Sequence, residues 1–331
     1  MPTFKAMLAT QQDGEFAISI EQIDTAQLPP GEVLIRVAYS DLNYKDGCVV
    51  TGRPGFIRKY PMVPGIDLAG TVEESASPEC KPGDKVVVTG WGLSESMWGG
   101  YAELARLDAK YLVPVPPALS LRQAAAIGTA GFTAMQCVLA LERHGVLPGS
   151  SKPVLVTGAA GGVGSLAVAI LAKLGYTVAA STGRAELGDY LRSLGAHEIV
   201  DRASIAAPSK KPIESERWAG AVDSVGGDTL SGVLRAIANN GCVAACGLAG
   251  GAELHTTVVP FILRGVVLAG INSVYVPKPE RVVIWDRLAK DLPLALLDST
   301  IQESRLEDVF DLSRQILAGK VRGRAVIRIS N

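Results

Sequence analysis

The sequence predicts an α/β protein in two parts, a doubly wound parallel sheet and a β-rich domain whose chain is split around it. Three observations carry this expectation. Short apolar segments punctuated by Pro and Gly fill residues 1–124, strand-like and helix-like segments alternate over 125–273, and 274–331 closes with a strand-like run that returns to the first part. Repeated strand–helix alternation is the pattern of a parallel sheet covered on both faces. At 331 residues the chain also exceeds the usual size of one domain.

In order along the chain, GEVLIRVAYS, GIDLAGTVEES, GDKVVVTGW and YLVPVP are the clearest strands of the first part. Alanine-rich helical patterning begins at LSLRQAAAIGTAGFTAMQCVLAL and leads through His144–Gly149 into Val154-Leu155-Val156, a β-branched apolar run suited to a buried parallel strand. Further strands are expected at Tyr176–Ser181, EIVDR, WAGAVDSVGG, GCVAACGLAGG and VVLAGINSV, with a helix in LSGVLRAIANN. Helices around Pro279–Leu292 and Leu306–Ala318 and a last strand RAVIRIS complete the reading.

The turn after Val154–Val156 carries the chemistry. Ala159-x-Gly161-x-x-Gly164 is the G-x-G-x-x-G fingerprint with alanine in the first place, and it has the strand before it and the helix after it that a dinucleotide site requires. Backbone N–H groups of Ala160, Gly161, Gly162 and Val163 at the helix start are placed to meet a pyrophosphate. The end of the next strand selects the cofactor. A carboxylate there suits a ribose 2′-hydroxyl, whereas Ser181, Thr182, Gly183 and Arg184 offer hydroxyls, backbone and a guanidinium suited to a 2′-phosphate. NADPH is therefore expected; a solvated arginine after a strand is the plainer alternative.

Composition narrows the remaining classes. A net charge of −1 with dispersed basic residues gives no reason to expect nucleic acid, and the first residues lack a secretory signal, so a cytoplasmic protein without a membrane partner is expected. Cys48, Cys80, Cys137, Cys242 and Cys246 form no disulfide or metal pattern and read as free thiols. His144, His197 and His255 share no spacing with a nucleophile.

SDLNYKD (Ser40–Asp46), PMVPGIDLAGTV (Pro61–Val72), TGWG with WGGYAE (Thr89–Glu103), IGTAGFTAM (Ile127–Met135) and CVAACGLAGG (Cys242–Gly251) occur in this order. With the fingerprint, they make the chain resemble the medium-chain dehydrogenase/reductase superfamily, and within it the zinc-independent acryloyl-CoA reductase and quinone oxidoreductase group. The resemblance implies a GroES-like domain split in sequence, a Rossmann domain, an active-site cleft where they meet, and a homodimer through the Rossmann domains. Zinc relatives need a cysteine near SDLNYKD and a G-H-E motif near Gly65. Asn43 and Gly65-Ile66-Asp67 stand there instead, and the four-cysteine lobe is missing, so no metal is expected.

Conjugate reduction fits such a site: hydride from NADPH to the β-carbon of acryloyl-CoA, then protonation of the enolate to give propionyl-CoA. Hydrogen-bond donors suffice to hold the enolate. Asn43 and Tyr44 are the catalytic candidates, Tyr44 serving as oxyanion donor or proton relay, or as an aromatic wall against the nicotinamide. Asp67 reads as a structural carboxylate. Thr129 and Thr133 fall at the domain crossing and either touch the nicotinamide end or form a hinge. Leu248 and Ser273 follow later strands of the parallel sheet and face its cofactor side. Arg324 resembles a cofactor-contacting position, or is a surface cation. Asp223 shapes the crevice. Arg53, Arg58 and Lys59 on GRPGFIRKYP are candidates for the phosphates of a CoA thioester, or a solvated loop. The alternatives are a zinc-independent quinone or enone oxidoreductase and, in another class, a noncatalytic NADPH-binding protein.

Overall fold

The computed structural model describes residues 2–330. Its strands are β1 (Thr3–Gln12), β2 (Glu15–Asp24), β3 (Val33–Leu42), β4 (Asp67–Ser75), β5 (Lys85–Thr89), β6 (Leu104–Leu107), β7 (Val113–Pro114), β8 (Val154–Val156), β9 (Val178–Thr182), β10 (Glu198–Asp201), β11 (Trp218–Asp223), β12 (Ile237–Ala245), β13 (Val267–Gly270), β14 (Ile301–Arg305) and β15 (Arg324–Arg328). Three helices matter for the sites: α1 (Tyr44–Val50), α2 (Leu121–Arg143) and α3 (Gly162–Lys173). The chain divides into two compact units. Unit 1 takes the chain up to Thr129, then Ser273–Ala289 and the chain from Leu297 onward; unit 2 takes Ala130–Asn272 and Lys290–Leu296.

Unit 1 is built on a sheet in the order β14-β15-β3-β4-β5-β7, with β6 also pairing β3, and a separate β1-β2 hairpin. Its centre, β3, is apolar on both faces. Val33, Ile35 and Val37 enter one core with Leu68, Val72, Val86 and Val88, while Leu34 and Leu42 enter a second with Phe4, Met7, Ala325 and Ile327. A strand buried on both sides needs consecutive apolar residues, as Val33-Leu34-Ile35 supplies, and each buried Val, Ile or Leu contributes about 1.5–3 kcal/mol. β15 pairs antiparallel with the end of β3, setting Val326 opposite Asp41 and Ile327 opposite Ser40. That register brings Arg324 beside the residues that follow β3.

Four strands of this unit, β1, β2, β6 and β14, lie outside the clearest segments. The hairpin carries its signal as alternation, Phe16, Ile18 and Ile20 being half-buried between exposed polar neighbours, without Pro or Gly to bound β2 at its far end. β14, IQESR, has a single apolar residue and pairs in parallel with β15.

Unit 2 holds a six-stranded parallel sheet in the order β10-β9-β8-β11-β12-β13. From β8 the chain runs outward through β9 and β10, then restarts at β11 on the other side. The point between β8 and β11 is the topological switch where ligands of such sheets sit. VLV of β8 and VAAST of β9 are completely buried, as strands covered by helices on both faces must be.

α2 is interrupted at Gly128, where φ is +46° and ψ −156°. A residue with a side chain is strained at that φ, and a Cβ there would run into Asp41 Oδ2. α2 is long and apolar enough to cross a membrane, but most of it is buried inside the protein, the environment of a core helix.

Candidate functional site

The polar cluster of unit 1 grows from the end of β3. Asp41, Asn43 and Asp46 follow one another there, Asp67 opens β4, Gly128 and Thr129 lie on α2, and Arg324 opens β15. Asp46 organises the start of α1: one carboxylate oxygen accepts the Asn43 N–H at 2.9 Å and the other the Ile66 N–H at 2.9 Å. This stitches α1 to the segment entering β4.

The Asn43 amide is fully committed. Nδ2 donates to Asp41 Oδ1 and to Asp67 Oδ2, both at 2.9 Å, and Oδ1 accepts from the Arg324 guanidinium at 3.4 Å. Asp67 also accepts the Thr129 N–H at 2.7 Å and the Thr129 hydroxyl at 2.6 Å. Arg324 Nε donates to the Ala126 carbonyl at 2.6 Å, and Nη2 pairs with Asp41. The Tyr101 hydroxyl donates to the Asp41 carbonyl at 2.9 Å, and burial holds that phenol well above its usual range. Burial raises Asp46 to about 7, against the opposing pull of the two N–H groups it accepts.

Tyr44, the first residue of α1, is 43% exposed beside this buried network. Arg53, Arg58 and Lys59 are all exposed, with Arg58 3.7 Å from Glu95. Ser273 offers its carbonyl to the Arg281 guanidinium at 3.1 Å.

In unit 2 the glycine turn has the form the fingerprint requires. Gly161 precedes the first turn of α3 and donates to the Gly158 carbonyl at 2.9 Å. A Cβ at Gly164 would collide with the Gly158 carbonyl and sit 2.6 Å from Ala159 Cα, so only glycine lets α3 pack this closely on the turn. Ala160 is buried, and Gly161, Gly162 and Val163 are half-buried at the helix start. There, N–H groups lack intrahelical partners and favour an anion.

The end of β9 is divided in role. Ser181 is completely buried, its carbonyl accepting the Ala159 N–H at 3.0 Å and its Oγ having no hydrogen-bond partner. The Thr182 hydroxyl accepts the Arg184 N–H at 3.0 Å, fixing the turn. Gly183 is exposed, and a Cβ on it would meet the Arg202 guanidinium at 2.8 Å. Arg202 thus flanks the loop where Arg184 was the one guanidinium expected beside Ser181, Thr182 and Gly183. The neighbouring acid, Asp201, accepts the Ala203 N–H at 3.1 Å. A glycine cradle and two arginines around the loop after β9 fit a dinucleotide bearing a 2′-phosphate.

Leu248 is exposed after β12, and Thr133 is buried on α2. Asp223 is buried and structural in its bonding, accepting the Thr157 hydroxyl at 2.6 Å and the Gly226 N–H at 2.8 Å; burial raises its carboxyl. Hollows of about 410 Å³ beside Glu79, Lys85 and Lys278 and of about 550 Å³ beside His144, Lys152 and Glu216 include none of the candidate residues.

Arg202, Asp41, Asp46 and Tyr101 were not singled out from the sequence. Arg202 had a signal, a basic residue directly after the strand that neighbours β9. Asp41 and Asp46 stand within SDLNYKD itself, flanking Asn43.

These two arrangements define a nucleotide-dependent oxidoreductase fold, and the comparisons agree. Residues 29–117 match the alcohol dehydrogenase GroES-like domain and residues 162–288 the zinc-binding dehydrogenase family. The chain is 53% identical over 320 residues to the acrylyl-CoA reductase AcuI of Ruegeria pomeroyi, covering 97% of each. It superposes on the crystal structure of the YhdH oxidoreductase from Salmonella enterica in complex with NADP with a TM-score of 0.95 at 48% identity, covering 98% of this chain and 100% of that one. The Bacillus subtilis protein YhfP, solved with NAD bound, gives a TM-score of 0.94 at 42% identity, covering 99% and 100%. The chain belongs to the medium-chain dehydrogenase/reductase family.

Proposed function

We propose that the protein is an NADPH-dependent acryloyl-CoA reductase that converts acryloyl-CoA to propionyl-CoA. The observation that carries the cofactor half is the loop after β9, where Arg184 and Arg202 stand and the neighbouring Asp201 carboxylate caps Ala203. The substrate half rests on the near full-length identity to the Ruegeria pomeroyi enzyme.

When bound, NADPH supplies the hydride that goes to the β-carbon. Ala160–Val163 hold the pyrophosphate through backbone N–H groups, Thr182–Arg184 and Arg202 hold the 2′-phosphate, and Leu248 and Ser273 line the cofactor. Ser181 contributes through its carbonyl, since its hydroxyl is buried. Tyr44 is the donor to the enolate oxygen, because its phenol belongs to a side chain 43% exposed next to the buried network. Asn43 and Arg324 act as positioning residues. Both amide hydrogens of Asn43 are taken by carboxylates, and Arg324 is 2% exposed with each of its three nitrogens bonded to Ala126, Asp41 or Asn43. Arg53, Arg58 and Lys59 meet the CoA phosphates.

Zinc has no part in this reading. An amide and an alkyl side chain stand at Asn43 and Ile66, where zinc relatives would need a thiolate and an imidazole. The protein acts in the cytoplasm as a homodimer. Its support is the free edge of β13, flanked by Val258, Ile262 and Leu263, each more than 60% exposed. Leu268→Pro is expected to turn a dimer into a monomer in sedimentation velocity.

The experiment for the activity is a comparison of NADPH oxidation with acryloyl-CoA, longer enoyl-CoAs, free enones and quinones. Acryloyl-CoA is expected to give the highest kcat/KM. Rapid quinone turnover without acryloyl-CoA turnover would replace the reading, and tight NADPH binding without any turnover would make the protein a binder.

A further inference from the structure

Asp41 is a member of the buried network to which the proposed reaction gives no role. Charged and titratable groups face it from every side: Asp46 from α1, Asp67 from β4, Arg324 from β15, and the Tyr101 hydroxyl, which donates to its backbone carbonyl. Arg281 acts on Asp67 from farther away. Asp41, Asp46 and Asp67 are each at most 1% exposed, and the cation among them, Arg324, is 2% exposed. Three ionised carboxylates against one guanidinium would leave two uncompensated negative charges in the interior, an arrangement that desolvation opposes strongly.

The geometry shows where a proton relieves this. The Asn43 Nδ2 reaches both Asp41 and Asp67 at 2.9 Å, so one nitrogen clips the two carboxyl groups together. The two carboxyl groups also meet at Gly128: a Cβ there would strike Asp41 Oδ2 and lie 2.7 Å from Asp67 Oδ2, the oxygen that accepts from Asn43. Two carboxyl groups held this close repel when both are ionised and hydrogen-bond when they share a proton. Asp67 accepts one bond from Asn43 and two from Thr129, whereas Asp41 accepts one from Asn43 and pairs with Arg324.

We propose that Asp41 carries the single proton of an Asp41–Asp67 pair at neutral pH, and that it is thereby a positioning residue: the shared proton holds the pair together, the pair fixes the Asn43 amide, and Asp67 fixes Thr129. Burial and the charge of Asp67 push the Asp41 carboxyl well above its usual range, against the pull of Arg324. The kinetic consequence rests on the reductase reading above; the titration does not.

Two variants test it. Asp41→Ser leaves an uncharged hydroxyl that both donates and accepts, and Asp41→Asn keeps the shape without the titration. Thermal unfolding of wild type and both variants is followed from pH 5 to pH 9. A carboxyl whose folded pKa is raised favours the fold at low pH and loses that contribution as pH rises. The wild-type Tm is therefore expected to fall relative to each folded variant by about 5 °C or more across the range. A wild-type-minus-variant Tm that stays constant or rises with pH overturns the shared proton.

The second readout is the pH profile of NADPH-dependent acryloyl-CoA reduction. The alkaline limb of wild type is expected to vanish or move by one pH unit or more in the variants, and an unchanged limb overturns the positioning role. If acryloyl-CoA is not a substrate, the reductase reading fails while the thermal series still decides the proton.

Discussion

The guanidinium of Arg281 lies 4.4 Å from the centroid of the Trp91 ring, and the two residues lock the segment entering helix Lys278–Asp291 onto the end of β5. Arg281 is 1% exposed and donates to the carbonyls of Thr89, Ser273, Val274 and Val276 and to the Thr89 hydroxyl. The Trp91 backbone N–H in turn donates to the Val274 carbonyl at 3.2 Å. Burial lowers Arg281 to about 10, which leaves it charged at neutral pH.

Arg281→Met is expected to remove five hydrogen bonds, with only the Val274 carbonyl keeping the Trp91 backbone N–H that the structure records, and to cost at least about 3 kcal/mol, lowering Tm by roughly 5–10 °C in calorimetry. Arg281→Lys should recover less than half of this, because an ammonium lacks the planar fork that spans the acceptors. Equal Tm for the lysine variant and wild type would refute the account.

Cofactor choice is expected to depend on two arginines. Arg184→Ala and Arg202→Ala should each reduce the ratio of NADPH to NADH efficiency by about tenfold or more, through KM for NADPH, with NADH little affected. An unchanged ratio in both variants would move the 2′-phosphate contact elsewhere.

Tyr44→Phe separates an acid from a wall. A phenol that donates in the transition state should take about a hundredfold of kcat with it while leaving NADPH binding intact. A change below about threefold would leave Tyr44 the packing role only.

Stability should also depend on pH through Asp46. Its folded pKa is about 7 against an ordinary value of 3.8, so its ionisation is disfavoured in the fold. The contribution is present at acid pH and lost as pH rises from about 4 through 7, amounting to at most about 4 kcal/mol. The Tm of wild type relative to Asp46→Asn is expected to fall between pH 4 and pH 8, and a rise would show that the two N–H bonds win over burial.

What could be read from the residues was what repeats along the chain or sits in a local motif. The buried run Val154–Val156, the glycines at 161 and 164 and the helix after them announce one another within a dozen residues, and the structure gives each the expected form. Arg324 shows the limit. Its partners Asp41 and Asn43 lie more than 280 positions away, and only the pairing of β15 with β3 brings them together. Nothing local distinguishes a guanidinium that will be buried among carboxylates from one that will meet a phosphate or solvent. Asn43 shows another: its position was legible, but the direction of its amide is set by two acids from different strands.

The pairing of β15 with β3 also imposes an order on folding. All six strands of the unit 2 sheet are translated between the halves of the unit 1 sheet, so the parallel sheet can be completed on the ribosome while β3 still lacks one neighbour. During that interval Asp41, Asp46 and Asp67 have been made and Arg324 has not. Burial of the carboxylates beside Arg324 is therefore expected to come late in assembly, when the last strand pairs with β3.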